Sequence, residues 1–180
     1  MKYIKTMKTF IKESLEHIGI SNEEINEILK GYLMAALWTE EERLNDEYES
    51  ENTYVEEDDD DDDEEETEID RLVKMQNNLN NKSFSGFIED DIEVNSKIQA
   101  YLDIRNFILE AGGAAVAEAI DDNGTEQLGH DIWLTRNGHG TGFMDRDYDN
   151  VVDLERAAKK LKEVDMYIGD DNMLYFSNAN

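Results

Sequence analysis

The chain has 180 residues, and its 17 Lys and Arg are outnumbered by 45 Asp and Glu, which gives a formal net charge of −28. This charge excludes a basic nucleic-acid-binding module, because attraction to phosphates needs an excess of Lys and Arg. Without cysteine there is no disulfide framework and no thiolate zinc site. The apolar runs are far shorter than the ~20 residues of a membrane span, and no apolar signal segment follows the basic start Met1–Lys8. We therefore expect a cytoplasmic protein that does not engage membranes.

The excess negative charge is concentrated in the middle of the chain. Residues 40–70 contain twenty acids and a single base, and they include an unbroken acidic run from Glu56 to Glu66. Like charges repel and nothing apolar is available to bury, so the sequence predicts a disordered acidic loop over residues 45–67. Two roles for the loop stay open, a solubilising linker or an interaction segment that competes for a basic groove. A calcium loop is excluded, because continuous aspartates lack the alternating ligands and the glycine of such loops.

The first part of the chain, residues 1–44, is predicted to form a helical hairpin. Apolar residues recur every three or four positions over residues 4–18 and again over residues 25–37. Between these stretches, Ser21 and Glu24 have the spacing of a capping box, in which each side chain bonds the backbone N–H of the other residue. The second helix is expected to fade after residue 38.

Residues 68–120 are also predicted to be helical. The main element runs from about Asp90 to Ala111, where Gly112 and Gly113 stop or kink it. A further helical turn is expected over residues 114–120.

The last part, residues 121–180, is predicted to form a ββαββ unit, a small antiparallel sheet with one helix across it. Asn137-Gly138 is a strong signal for the first hairpin. In chain order, the predicted elements are strand 131–135, strand 141–146, helix 151–164, strand 165–169 and strand 173–177. The predicted fold class is therefore α+β.

Large aromatic residues are interpreted as core anchors. Trp38, Trp133 and Phe143 stand among many carboxylates, which disfavours a role as platforms for stacking nucleic-acid bases. We expect Trp133 or Leu134 to be buried.

Chemically versatile side chains cluster in the predicted first hairpin. The cluster consists of His130, Asp131, Arg136, His139, Asp145 and Arg146. Imidazole and carboxylate could together bind a divalent metal, which would allow a metal-dependent enzyme built on the His130–Asp145 hairpin. However, the spacing matches no familiar ligand pattern. The favoured interpretation is that these side chains satisfy one another and the turn backbone.

A second possible metal ligand set follows directly. Asp145, Asp147, Asp149 and Asp153 occupy positions 1, 3, 5 and 9 of an EF-hand-like spacing. The glycine at position 6 and the glutamate at position 12 are missing. Helix capping is the favoured role for these aspartates.

No other catalytic apparatus is indicated. The chain has no cysteine, no Gly-x-Ser-x-Gly elbow and no glycine-rich loop between a strand and a helix. We therefore predict that the protein is not an enzyme and that it needs no cofactor.

Three stretches resemble one group of known proteins. Residues 129–146 read Gly-His-Asp-Ile-Trp-Leu-Thr-Arg-Asn-Gly-His-Gly-Thr-Gly-Phe-Met-Asp-Arg, which resembles a signature of small acidic proteins of phages and mobile elements. Residues 165–171 are similar to the closing strand and turn of that group, and residues 31–38 resemble its helix ending in Leu-Trp. The resemblance implies a phage or mobile-element origin, where small acidic proteins are frequently antagonists of host defence, including inhibitors of CRISPR effectors.

The charge and the resemblance together predict an anti-defence interaction protein of the host-cell cytoplasm. It would inhibit a nucleic-acid-binding nuclease, first of all a Cas9-type effector, by placing carboxylates in its basic groove without binding nucleic acid itself. The predicted partner-binding residues are Glu23, Glu24, Glu27, Asp58, Asp59, Asp60, Asp61, Asp62, Asp63, Glu89, Asp90 and Asp91. The alternatives are the metal-dependent enzyme and a structural or regulatory phage protein with no nuclease target.

Overall fold

The computed structural model describes residues 19–52 and 87–178, and these ranges contain five α-helices and one two-stranded antiparallel sheet. The helices are α1 (Asn22–Asn52), α2 (Val94–Ala111), α3 (Gly113–Asn123), α4 (Thr125–Arg136) and α5 (Val151–Lys160). The strands are β1 (Val164–Ile168) and β2 (Leu174–Asn178), and 3-10 turns cover Glu89–Asp91 and Phe143–Asp145. The α+β class is confirmed. In these ranges no helix is long and apolar enough to cross a bilayer.

Helix α1 begins at the predicted capping box. The Glu24 amide donates to the Ser21 hydroxyl at 3.2 Å, and the Ser21 amide donates to the Glu24 carboxylate at 2.6 Å. The helix continues beyond Trp38 to Asn52, so residues 45–52 of the predicted acidic loop are helical. The predicted first helix over residues 4–18 and the acidic run Glu56–Glu66 lie outside the described residues.

The predicted ββαββ unit is wrong in its first half. Residues 131–135 form the second half of helix α4, and residues 141–146 form a loop with a 3-10 turn. The Asn137-Gly138 pair ends this helix instead of turning a hairpin. Gly138 has φ +70°, and its amide and that of His139 donate back to the carbonyls of Thr135 and Leu134, at 3.4 and 3.0 Å. This is a Schellman motif, which needs the same left-handed glycine that tight hairpin turns need.

The second predicted hairpin is present, and each of its strands lies one residue further from the turn than predicted. Strand β1 pairs antiparallel with β2, and Val164 lies opposite Asn178. On the edge of β1 that faces away from β2, side chains of other elements form hydrogen bonds with the strand backbone. Arg43 donates to the Met166 carbonyl, and the Asn137 side chain accepts from the Val164 amide at 2.9 Å. The β1 edge is therefore held by α1 and by the end of α4.

The core lies where α4 packs into the other helices. Its contact with α1 is the most extensive between elements of the described chain. A Cβ atom on Gly129 would lie 2.1 Å from the Ile28 carbonyl oxygen, and one on Gly31 would lie 2.0 Å from that of Glu126. Glycine at both positions thus permits backbone contact between the two helices.

Aromatic packing continues from this crossing. Trp133 is fully buried and meets the ring of Tyr32 edge-on at 5.2 Å, and Phe143 is also fully buried. Leu134 is 3% exposed, so the prediction that Trp133 or Leu134 is buried is confirmed, and both are. The prediction for Trp38 is wrong, because this side chain is 65% exposed.

Candidate functional site

Asp131 connects helix α4 to the loop that follows it. The carboxylate is fully buried and accepts hydrogen bonds from Arg146 Nε at 2.9 Å, Gln127 Nε2 at 3.0 Å and the Tyr148 hydroxyl at 2.7 Å. Burial and then the Asp131 hydrogen bond raise the pKa of Tyr148 far above its ordinary value. With all these donors in place, Asp131 is a structural anchor.

Arg136 forms a second buried network. Its guanidinium donates to Asp103 Oδ2 at 2.7 Å and to the Tyr32 hydroxyl at 2.5 Å. It also donates to the backbone carbonyls of Leu161 and Lys162 at 3.2 and 2.8 Å. Burial raises the pKa of Tyr32 well above its ordinary value. Arg136 therefore ties α4 to α1, to α2 and to the end of α5.

The remaining candidates of the predicted hairpin are dispersed. His130 is half-buried on α4, and His139 and Asp145 are exposed in the following loop. Among residues 19–52 and 87–178, no group of three or more His, Asp and Glu side chains is placed to hold a metal ion.

The EF-hand-like aspartates do not converge. Asp145, Asp147 and Asp149 are exposed, and Asp153 pairs with Arg156 at 2.7 Å on the first turns of α5. This spacing therefore forms no metal centre in the part of the chain that the structure describes.

The predicted partner-binding carboxylates of α1 lie on its first two turns. Glu23 and Glu27 are exposed, whereas Glu24 is half-buried and caps the helix. The Glu27 carboxylate also accepts the hydroxyl of Thr125 at 2.8 Å. Within residues 19–52 and 87–178, Glu23 makes no such contact and can meet a partner, while the other two carboxylates also support the fold.

The second predicted set lies on the 3-10 turn before α2. Glu89 and Asp90 are exposed, and Asp91 is half-buried and accepts the Ile88 amide at 2.9 Å. The Asp90 carboxylate is 4.0 Å from Lys97 Nζ. Because Asp90 is highly exposed, this ion pair is weak and does not hold the carboxylate in place. Asp58, Asp59, Asp60, Asp61, Asp62 and Asp63 lie outside the described residues.

An open groove of about 550 Å³, which we call the Trp38 groove, lies between α1 and the loop after α4. Its lining residues are Trp38, Thr39, Glu41, Glu42, Leu134, His139 and Thr141. Its floor is rigid, because Trp133 Nε1 donates to the Thr39 hydroxyl at 2.8 Å, which itself donates to the Ala35 carbonyl at 2.9 Å. The groove combines an aromatic surface with carboxylates, which is the chemistry that receives a cation.

No protein-family model, curated protein or solved structure matches the chain.

Sequence reasoning missed the Trp38 groove. Trp38, Glu41 and Glu42 are spaced i, i+3 and i+4, which places them on one helix face, so part of the signal was available. The other wall comes from residues about a hundred positions away, which no local pattern connects to α1.

Proposed function

We propose that this protein is an anti-defence inhibitor that binds the basic groove of a nucleic-acid-handling nuclease, with a Cas9-type effector as the first candidate. One observation carries the proposal: within residues 19–52 and 87–178, the folded surface bears many exposed carboxylates that the cations of these same ranges do not neutralise. The resemblance of residues 129–146 to small acidic phage proteins supplies the choice of target.

The cations of the fold are largely used internally. Residues 19–52 and 87–178 hold thirty Asp and Glu against ten Lys and Arg. Eight of those ten cations lie within 4.0 Å of a carboxylate of the same chain. The field outside the molecule is therefore strongly negative.

Such a field favours basic partners. Nuclease channels hold nucleic acid mainly through phosphate contacts with Lys and Arg. A carboxylate surface is steered toward the same side chains at long range and excludes DNA once it is bound. Inhibition by occupancy needs no catalytic residue and no cofactor.

Rigid carboxylates suit this role better than a repelling loop. Glu23, Glu89 and Asp90 are exposed on ordered elements, so they meet a partner with little loss of conformational freedom. The sequence predicts that Asp58–Asp63 lie in a disordered loop, and ordering such a loop would oppose binding through both entropy and mutual repulsion.

The test is direct binding to a guide-loaded Cas9-type effector in the absence of DNA, followed by a DNA-cleavage assay, each at two salt concentrations. We expect a stable complex, inhibited cleavage, and affinity that weakens steeply as salt rises, since exposed charges are screened within about 8 Å at physiological ionic strength. Failure to bind any guided nuclease or restriction enzyme would reject the proposal.

Two variants locate the contact. Glu23→Lys, Glu89→Lys and Asp90→Lys together should abolish most of the binding, whereas replacing Asp58–Asp63 by Asn should leave most of it. Glu24 and Asp91 stay unchanged because they cap backbone amides. The matched control reverses Asp145, Asp147 and Asp149, which are exposed elsewhere. Equal losses in both reversal variants would show that net charge alone acts, against a localised contact.

A further inference from the structure

The Trp38 groove contains side chains that the fold itself does not use. Trp38 is 65% exposed on a helix whose other face supplies much of the core. Within residues 19–52 and 87–178, neither Glu41 nor Glu42 forms an ion pair, and both are exposed. An indole and two carboxylates in solvent contribute little to stability, so their position is informative about binding.

The neighbouring charges are already engaged. Glu40 is 2.7 Å from Arg43, and its other oxygen is 3.9 Å from His139 Nε2. Arg43 also donates to the Met166 carbonyl. The cation nearest the groove in sequence is therefore fixed to Glu40 and β1. Among the described residues, no cation pairs with Glu41 or Glu42, so both can meet an external partner.

We propose that the Trp38 groove is a site for an arginine side chain of the basic protein partner. The proposal rests on the proposed function for the identity of the partner. Trp38 offers a face on which a planar guanidinium stacks, and Glu41 and Glu42, one helical turn further along, lie on the same side as counter-ions. Leu134 and the Thr39 hydroxyl form the floor beneath the side chain.

Charge selects among possible occupants. A phosphate or a nucleic acid would be repelled by the two glutamates. An uncharged apolar segment would contact Trp38 and Leu134 but would remove the glutamates from water without a partner. Arginine satisfies both parts of the groove, and it does so better than lysine because its guanidinium is planar and less strongly hydrated.

The probe is a capped Gly-Arg-Arg-Gly peptide, compared with Gly-Lys-Lys-Gly, added to the ¹⁵N-labelled full chain. The chain has two tryptophans, hence two indole N–H signals. We expect the arginine peptide to shift the Trp38 signal saturably and further than the buried Trp133 signal, and to bind more tightly than the lysine peptide. Equal effects of the two peptides, or no shift of the Trp38 signal, would overturn the assignment.

Variants and controls complete the test, with the affinity for the arginine peptide taken from backbone amide shifts. Trp38→Ala should lower this affinity by about two- to fivefold. The double variant Glu41→Gln with Glu42→Gln should lower it more than the matched pair Asp145→Asn with Asp147→Asn. Because Trp38 is exposed, an unchanged Trp133 signal verifies the fold of each variant. Two results would contradict the proposal. A Trp38 signal that shifts with protein concentration in the absence of peptide would mean that a second copy fills the groove. Protection of the Trp38 indole from acrylamide quenching would mean that another segment of this chain fills it.

The two proposals fail separately. Peptide binding at Trp38 without any nuclease complex rejects the proposed function and leaves the arginine site. A nuclease complex that is unaffected by Trp38→Ala rejects the arginine anchor and leaves the proposed function.

Discussion

A methyl group added to Gly129 should separate two helices that now touch through their backbones. The new Cβ would lie 2.1 Å from the Ile28 carbonyl oxygen and 2.6 Å from the Tyr32 amide nitrogen. Ordinary contact begins near 3.4 Å, so α4 would have to move by about 1.3 Å. Backbone atoms cannot rotate away as a flexible side chain can.

Whether Gly129→Ala stabilises or destabilises the protein distinguishes an open helix from a close helix crossing. In an open helix, Gly→Ala stabilises by about 1 kcal/mol, because alanine loses less backbone entropy. Overpacking of a tight core costs about 1–3 kcal/mol or more, and backbone contacts place this site at the upper end. We expect Gly129→Ala to lower the free energy of unfolding by about 2–3 kcal/mol, equivalent to a fall of roughly 4–12 °C in Tm.

Urea denaturation followed by circular dichroism measures the change. Gly31→Ala should act in the same direction, since its Cβ would lie 2.0 Å from the Glu126 carbonyl oxygen. Gly124→Ala is the control: it has φ +85° and open space around its Cβ position, so it reports left-handed strain of about 1–2 kcal/mol without a clash. A Gly129→Ala protein as stable as the wild type, or more stable, would refute the close crossing of α1 and α4.

Three further changes test the buried interior. Trp133→Ala should cost about 3–5 kcal/mol, and an unchanged denaturation midpoint would contradict its place in the core. Arg136→Ala should cost about 3–5 kcal/mol because it leaves Asp103 buried without its cation, and adding Asp103→Leu should restore part of that loss. Stability should fall as pH rises above about 10, by up to about 2.7 kcal/mol per pH unit, because the unfolded chain releases the protons of Tyr32 and Tyr148 while burial in the folded state retains them. Tyr148→Phe should make this alkaline slope shallower, and denaturation curves at several alkaline pH values that give one stability would contradict the raised pKa values.

Amphipathic helices were predictable from the sequence, whereas the central helix was not. The start of α1 has an apolar stripe and a recognisable capping box, and most of α2 has an apolar stripe, so local pattern resolves both. The cap of α2, Glu93, was not predicted. In α4, residues 131–136 are all buried, so the helical period disappears and the segment reads like a buried strand. Asn137-Gly138 reinforced the error, since a Schellman motif and a tight hairpin turn both require a left-handed glycine.

The sequence predicted the acidic character of the candidate site, but not which side chains form it. Excess carboxylate is visible in composition, but whether a given Asp or Glu is exposed or caps a helix depends on tertiary structure, as Glu23 and Glu24 show. Trp38 illustrates the converse, since its size and its place near an apolar stripe predict a core residue, whereas its side chain is 65% exposed. Residue type alone does not decide burial at the margin of a stripe.

The side-chain contacts along β1 bear on how this protein behaves at high concentration. A short sheet with an unprotected edge is a template on which identical molecules add strand to strand and aggregate. Here Arg43 and Asn137 already occupy the Met166 carbonyl and the Val164 amide, so an incoming strand would have to displace both before it could pair. Together with mutual repulsion between copies of charge −28, this arrangement favours a protein that stays dispersed while its acidic surface remains open to a partner of opposite charge.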